Sequence, residues 1–293
     1  MDILLQQLVN ALNLGGNYAL LALGLAVVFS IMRLINFAHG DIMTIAGYGM
    51  LFGLATVSFP LAVMLACILS MSAAMLIERI GFRPVRNADT ATMLLTSFAI
   101  SILLQVSFQN LISARPLTFQ TPALLQGTID IGVIISRAQA ISIATTLLIL
   151  LGLVYFYRKT SIGIAMRAAS SDFEVCRLMG VRANGVISGA FALSGLLAAI
   201  AGIFWVSQRS SVDPLMGFLP VLKAFIAVIL GGMGSLVGAV AGGFLLGFIE
   251  VFCRAILPSE YSAYRDALAL AIVVLILVVR PNGLLGAKGT LAR

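Results

Sequence analysis

The residues able to do chemistry are few, and they fall in a handful of places. The sole histidine, His39, lies in the run Arg33-Leu34-Ile35-Asn36-Phe37-Ala38-His39-Gly40-Asp41, the densest polar cluster beside an apolar stretch. Ionisable groups in hydrocarbon are costly and normally face a cavity or a partner, so Asn36, His39, Gly40 and Asp41 are candidates for a translocation pathway or its gate. The competing reading is a plain turn between two spans, with Asp41 near a helix N-terminus, where a carboxylate is favoured. A second break, Gly231-Gly232-Met233-Gly234-Ser235, interrupts another apolar stretch. Irregular backbone at membrane depth survives only when shielded by protein or lining a wet cavity, which makes Gly231, Gly232, Gly234 and Ser235 further pathway candidates. Ser235 and His39 form a hydrolytic dyad only if their side chains come within hydrogen-bond reach.

Other polar residues read more simply. Glu250 stands four residues before Arg254, the spacing of a helical ion pair. Lys223 is expected to snorkel to the outer interface. Cys67, Cys176 and Cys253 are odd in number and widely spaced, which suits neither a disulfide framework nor a metal site. Gly286-Ala287-Lys288-Gly289-Thr290 lacks the spacing of a phosphate-binding loop, so no nucleotide site is expected here. No metal or cofactor is expected either.

The elements that must position these residues are helices in a bilayer. Of 293 residues, 61% are hydrophobic and 10% charged, against roughly 25% charged in soluble domains. No Lys, Arg, Asp or Glu occurs between Ile3 and Met32, Ile42 and Ile77, Thr90 and Ala114, Ala138 and Tyr157, Ala183 and Gln208, or Ala224 and Ile249. A span needs about 20 apolar residues. The windows are continuously apolar rather than alternating, which argues against a β-barrel. The expectation is an all-α, polytopic membrane helix bundle, a single domain over 1–293. It has about eight or nine spans, some short or broken, near 14–33, 37–56, 60–78, 91–112, 138–157, 184–206, 218–231, 236–256 and 265–281. Residues 2–13 read as an amphipathic lead-in, with Gln6, Gln7 and Asn10 off the apolar face. The small residues of Gly195–Gly202 and Gly238–Gly243 suit close helix packing.

Charge sets the orientation. The net charge of +7 comes without a basic patch interleaved with aromatics, which speaks against nucleic acid. The basic residues instead sit in short segments: Arg79, Arg83 and Arg86; Arg158, Lys159, Arg167, Arg177 and Arg182; and Arg280, Lys288 and Arg293. The positive-inside rule places all three in the cytoplasm and the N-terminus outside. Two short elements broken at 231–235, rather than one span over 218–256, keep the basic tail inside.

The segment 157–184 is the most informative. Ala165, Ala168, Ala169, Asp172, Val175, Cys176 and Met179 recur at helical spacing, and Gly180 fits a C-cap. A short cytoplasmic helix between two spans needs something to dock against. The run from Arg167 to Val181 resembles the coupling loop of ABC-importer permeases. Asn36 to Asp41 with Gly47-Tyr48 resembles the signature near the second span of branched-chain amino-acid permeases, and the 231–239 glycine break and Arg280 to Gly286 are similar to that family too. The likeness covers essentially the whole chain.

The resemblance implies an ATP-driven importer in the bacterial inner membrane. An extracytoplasmic binding protein delivers the solute to two permease subunits, usually a heterodimer, and two cytoplasmic ATPases grip the coupling loops. It assigns Arg167, Ala168, Asp172, Glu174, Cys176, Met179 and Gly180 to that grip. Family members usually carry alanine where Cys176 stands. Branched-chain amino acids are the expected solutes, with urea, short amides or another small solute as alternatives. An ion-coupled secondary transporter is the rival class; it usually places coupling acids deep in the membrane, whereas Asp41 and Glu250 are expected near span ends. The orientation has a direct check. In intact cells a cysteine at Ser170 stays unlabelled by an impermeant thiol reagent until the membrane is opened, and labelling from outside would invert the topology.

Overall fold

A computed structural model describes residues 2–130, 134–171 and 173–285. In chain order the helices are α1 (Asp2–Met32), α2 (His39–Thr56), α3 (Phe59–Ile77), α4 (Arg83–Val85), α5 (Thr90–Leu111) and α6 (Arg137–Lys159). They continue as α7 (Ser161–Ser171), α8 (Phe173–Leu178), α9 (Ala183–Arg209), α10 (Phe218–Gly231), α11 (Leu236–Ile256) and α12 (Arg265–Val279). A π-helical turn, Glu78–Phe82, joins α3 to α4. Among the described residues the strands form two small antiparallel pairs: β1 (Leu117–Thr118) with β4 (Ser211–Val212), and β2 (Thr128–Asp130) with β3 (Ile134–Ser136). Every expected span is a helix, and six are long and apolar enough to cross a membrane. The lead-in is not a separate element, because α1 runs unbroken from Asp2 through the first span.

Local chemistry sets the helix ends. Pro60 opens the first turn of α3, where its missing N–H costs nothing. Ser136 and Gln139 form a reciprocal capping box at the start of α6. Ser235 caps α11 by accepting the Gly238 amide at 3.0 Å. Arg33, with φ +55°, takes a left-handed conformation that stops α1 and turns the chain.

That turn does not lead to a simple hairpin. The first residue of α2 packs against the middle of α1: a Cβ on Gly24 would stand 2.5 Å from His39 Cε1. Gly24 lies two turns before the end of α1, so residues 34–38 re-enter the bundle before α2 begins.

α1 and α9 form the buried centre, and most residues of both are shielded. α11 lies against α1, and α10 against α11, through small residues. A Cβ on Gly243 would stand 2.5 Å from the Ala19 Cα; Cβ atoms on Gly247 and Gly242 would overlap Gly15 Cα and the Ala227 carbonyl. A Cβ on Gly202 would lie 2.7 Å from the Met43 carbonyl, which joins α9 to α2. Hydrocarbon offers no hydrophobic drive between helices, so close backbone approach supplies the attraction instead. The large apolar side chains of α3, α5, α6 and α12, such as Ile68, Leu95, Leu148 and Val278, point outward.

The bundle has two chemically distinct ends. At one, Arg86 donates to Asn184 Oδ1 at 2.7 Å, Arg167 shares a cleft with Leu236 and Val237, and the Leu284 and Leu285 amides reach the Leu230 and Gly231 carbonyls. The described parts of the basic segments expected on one side therefore converge there. At the other, Gln6 Nε2 donates to the Ile134 carbonyl at 3.0 Å and Asn13 pairs with Gln208. Gly247→Val drives a branched side chain into α1 and should destabilise the protein by about 1–3 kcal/mol. Gly152→Ala, where a Cβ meets nothing within 4 Å, should be neutral. Thermal unfolding in nanodiscs checks both, and equal midpoints would refute the close-packed seam.

Candidate functional site

A cavity of about 770 Å³ opens at the end away from the basic segments. One wall is the first half of α1, where Gln7, Asn10, Asn13 and Asn17 fall on one face. The others are the last turn of α9 (Trp205, Gln208, Arg209), the start of α10 (Phe218, Lys223), the last turns of α11 (Glu250, Arg254) and Asp266 of α12. At the inner corner the Glu250 side chain is 2% exposed yet held three ways. Tyr18 Oη donates to its Oε2 at 2.8 Å, and Lys223 Nζ lies 2.9 Å from its Oε1. Arg254 closes on the same Oε1. Lys223 also reaches Asp266 Oδ1 at 3.3 Å. A buried charge is tolerable when paired and hydrogen-bonded in this way.

Two groups in the wall are unsatisfied. Asn17 is 1% exposed and its Oδ1 has no partner. Trp205 is 8% exposed and its Nε1 has none either, although the Arg209 guanidinium lies 4.1 Å from the indole centroid. The cavity thus presents charges of both signs, several carboxamides, a buried free acceptor and a buried free donor. It suits a small polar solute.

The residues singled out from sequence do not gather here. Asn36, His39, Gly40 and Asp41 are all buried, so the simple interfacial turn is corrected. His39 Nδ1 pairs with Ser194 Oγ at 3.1 Å, and Asp41 is held by Ser101 Oγ at 2.5 Å and Gln105 Nε2 at 3.1 Å. Both polar atoms of Asn36 are without partners. Phe37 stacks on Phe98 with ring centroids 4.2 Å apart and meets Phe225 edge-on. The cluster is a buried segment packed among α1, α5, α9 and α10. Asp41 lies in the first turn of α2, near the span end as the sequence suggested, and is buried there.

Ser235 and His39 are not partnered: Ser235 caps α11 and His39 faces Ser194. That removes the hydrolytic dyad. The glycine break also differs from expectation. Gly231 and Gly232 are buried, but Met233 and Gly234 are exposed, so the break turns the chain at the basic end rather than inside the bundle. Its carbonyls are met by the Leu284 and Leu285 amides, which gives the Pro281-Asn282-Gly283 turn a physical purpose. Lys223 does not snorkel outward; Glu250 and Asp266 hold it.

At the basic end, α7 and α8 form a short helical pair. Met166, Ala169 and Cys176 face inward, and Arg167 and Ala168 face out. Gly180 takes φ +84° and the Val181 amide bonds back to the Cys176 carbonyl at 3.3 Å, the expected left-handed cap. Leu178 and Met179 are 86% and 80% exposed. Glu174 lies in α8, and Asp172 lies outside the described residues.

Tyr18, Asn17, Lys223, Trp205 and Asp266 were not picked out as site residues. A signal existed for one wall: Asn10, Asn13 and Asn17 repeat at helical spacing and carry the polar face of the lead-in into the first span.

A multi-pass helical bundle with a polar cavity at one end and an exposed, helix-bearing basic surface at the other is the layout of a transport permease. The family described as "Branched-chain amino acid transport system / permease component" matches residues 7–277, and the chain belongs to that family. It is 34% identical to the high-affinity branched-chain amino acid permease BraD of Pseudomonas aeruginosa, over 96% of this chain and 95% of that one. It is 33% identical to LivH of Escherichia coli K12, again over 96% and 95%. The fold resembles a chain of the PsaBC complex of Streptococcus pneumoniae, with a TM-score of 0.52 at 16% identity, covering 93% of this chain and 91% of that one.

The Glu250 cluster has a measurable consequence for stability. Glu250→Ala removes the buried carboxylate shared by Tyr18, Lys223 and Arg254, leaving Lys223 only Asp266, and should cost on the order of 3 kcal/mol, while Asp266→Asn, at an exposed partner, should cost less than about 1 kcal/mol. Unfolding midpoints in nanodiscs report the difference, and a larger loss at Asp266 would contradict this geometry.

Proposed function

We propose that the chain is the permease subunit of an ATP-driven importer of branched-chain or related amino acids in the bacterial inner membrane. The basic end faces the cytoplasm, following the positive-inside rule. The polar vestibule faces outward and receives solute from an extracytoplasmic binding protein. A second permease subunit completes the pathway. The buried Asn36–Asp41 plug, with Phe37 wedged between Phe98 and Phe225, is the closed segment that must move for solute to pass. Gly231, Gly232, Gly234 and Ser235 form the turn that lets α10 and α11 shift beside it.

The observation that carries this reading is the α7–α8 pair. Leu178 and Met179 form an apolar tip, more than three-quarters exposed, beside Arg167, Ala168 and the Gly180 cap. An apolar tip ringed by polar groups is the anatomy of a protein-docking site. Its position among the basic loops supports two cytoplasmic ATPases as the partners. ATP hydrolysis then belongs to those subunits and the chain itself is no enzyme. An ion-coupled carrier has no use for such a tip.

The test is to co-express the chain with candidate ABC ATPase subunits from the same genome. Leu178→Glu with Met179→Glu should abolish ATPase co-purification and uptake while the protein remains membrane-inserted. Gly180→Leu, which strains the left-handed cap, should weaken both. Normal pull-down by both variants would sink the coupling role and leave the helices as a mere surface feature.

A further inference from the structure

We propose that the inner corner of the vestibule is a zwitterion-reading subsite. Lys223 takes the α-carboxylate of a free α-amino acid and Glu250 takes its α-ammonium group. This rests on the import reading above and names the residues that would recognise its solute.

The corner holds opposite charges side by side, 2.9 Å apart, at the floor of a cavity of about 770 Å³. A ligand carrying only one charge exchanges with one member and leaves the other without its nearest partner, Glu250 keeping Arg254 and Tyr18 or Lys223 keeping only the exposed Asp266. A sugar or a neutral amide would bring nothing to exchange for it. A zwitterion replaces one ion pair by two, so each member exchanges its nearest partner for another. Tyr18 and Arg254 remain on Glu250 and fix its orientation while Lys223 swings to the ligand.

The unsatisfied groups support the same ligand. Asn17 Oδ1 is a buried acceptor with nothing to accept from, and it suits an ammonium. Trp205 Nε1 is a buried donor with nothing to donate to, and it suits a carboxylate. Both line the cavity that Lys223 and Glu250 close.

A merely structural role would have the same ion pairs latch α10, α11 and α12 together. Ligand charge separates the two. The chain has one tryptophan, so fluorotryptophan incorporation puts a fluorine NMR reporter in the vestibule wall, assigned by its loss in Trp205→Phe. The permease–ATPase complex in nanodiscs is titrated with leucine, with isocaproate, which lacks the ammonium, and with isoamylamine, which lacks the carboxylate. Leucine should shift the Trp205 resonance saturably, and the two analogues should require at least about tenfold higher concentration. Lys223→Met, Glu250→Gln and Asn17→Leu should each weaken the leucine response by a similar factor. Asn17→Leu breaks no ion pair, so its effect cannot arise from a lost latch.

An equal response to all three compounds would overturn the inference, as would undiminished leucine binding by the variants. ATP-driven leucine uptake by the wild-type complex with its binding protein is measured in parallel. Uptake without a vestibule response overturns the subsite alone. Absence of amino-acid uptake overturns the import reading and the subsite with it.

Discussion

Everything distinctive about this bundle depends on how closely α11 approaches its neighbours. Gly243 and Gly247 let its backbone touch α1 at Ala19 and Gly15, and Gly242 and Gly238 let it touch α10 at Ala227 and Gly231. In hydrocarbon, dispersion between close backbones is what holds helices together. One seam of missing side chains therefore fixes three helices at once. Glu250, carried at the far end of that seam, lands between Tyr18 of α1 and Lys223 of α10. The seam's other end is the 231–235 turn, sealed by the amides of Leu284 and Leu285. The same contacts set the floor of the vestibule and the geometry of the basic end.

This arrangement gives α1 two roles. Its first half is a polar wall of carboxamides, and its second half is a buried post on which His39 rests at Gly24. The re-entrant residues 34–38 exist because Arg33 reverses the chain in a left-handed conformation, with its charge left in water. Asn36 remains unsatisfied within the plug. An unsatisfied buried amide raises the energy of this arrangement.

Much of the fold was legible because lipid enforces it. Charge-free windows of the right length can only be helices, and each is filled by one or two of them. The Gly180 cap was legible because a left-handed terminus is a local requirement on a single residue. The basic loops were legible because they must share one side. The vestibule was only partly so. Asn13 and Asn17 extend a visible polar face, but Lys223 meets Glu250 and Asp266 across helices that share no sequence period. The re-entry at 34–38 was hidden for a related reason. A surface turn and a buried plug have the same local sequence, and only the packing of His39 against a distant glycine tells them apart.

The direct measurement is solute accumulation by proteoliposomes holding this chain with its partner permease and both ATPases. Binding protein loaded with labelled leucine is supplied outside, and either ATP inside or an imposed ion gradient is the only energy source. The account predicts accumulation with ATP in the absence of any gradient, and none with a proton or sodium gradient alone. Accumulation driven by a gradient without ATP would contradict it.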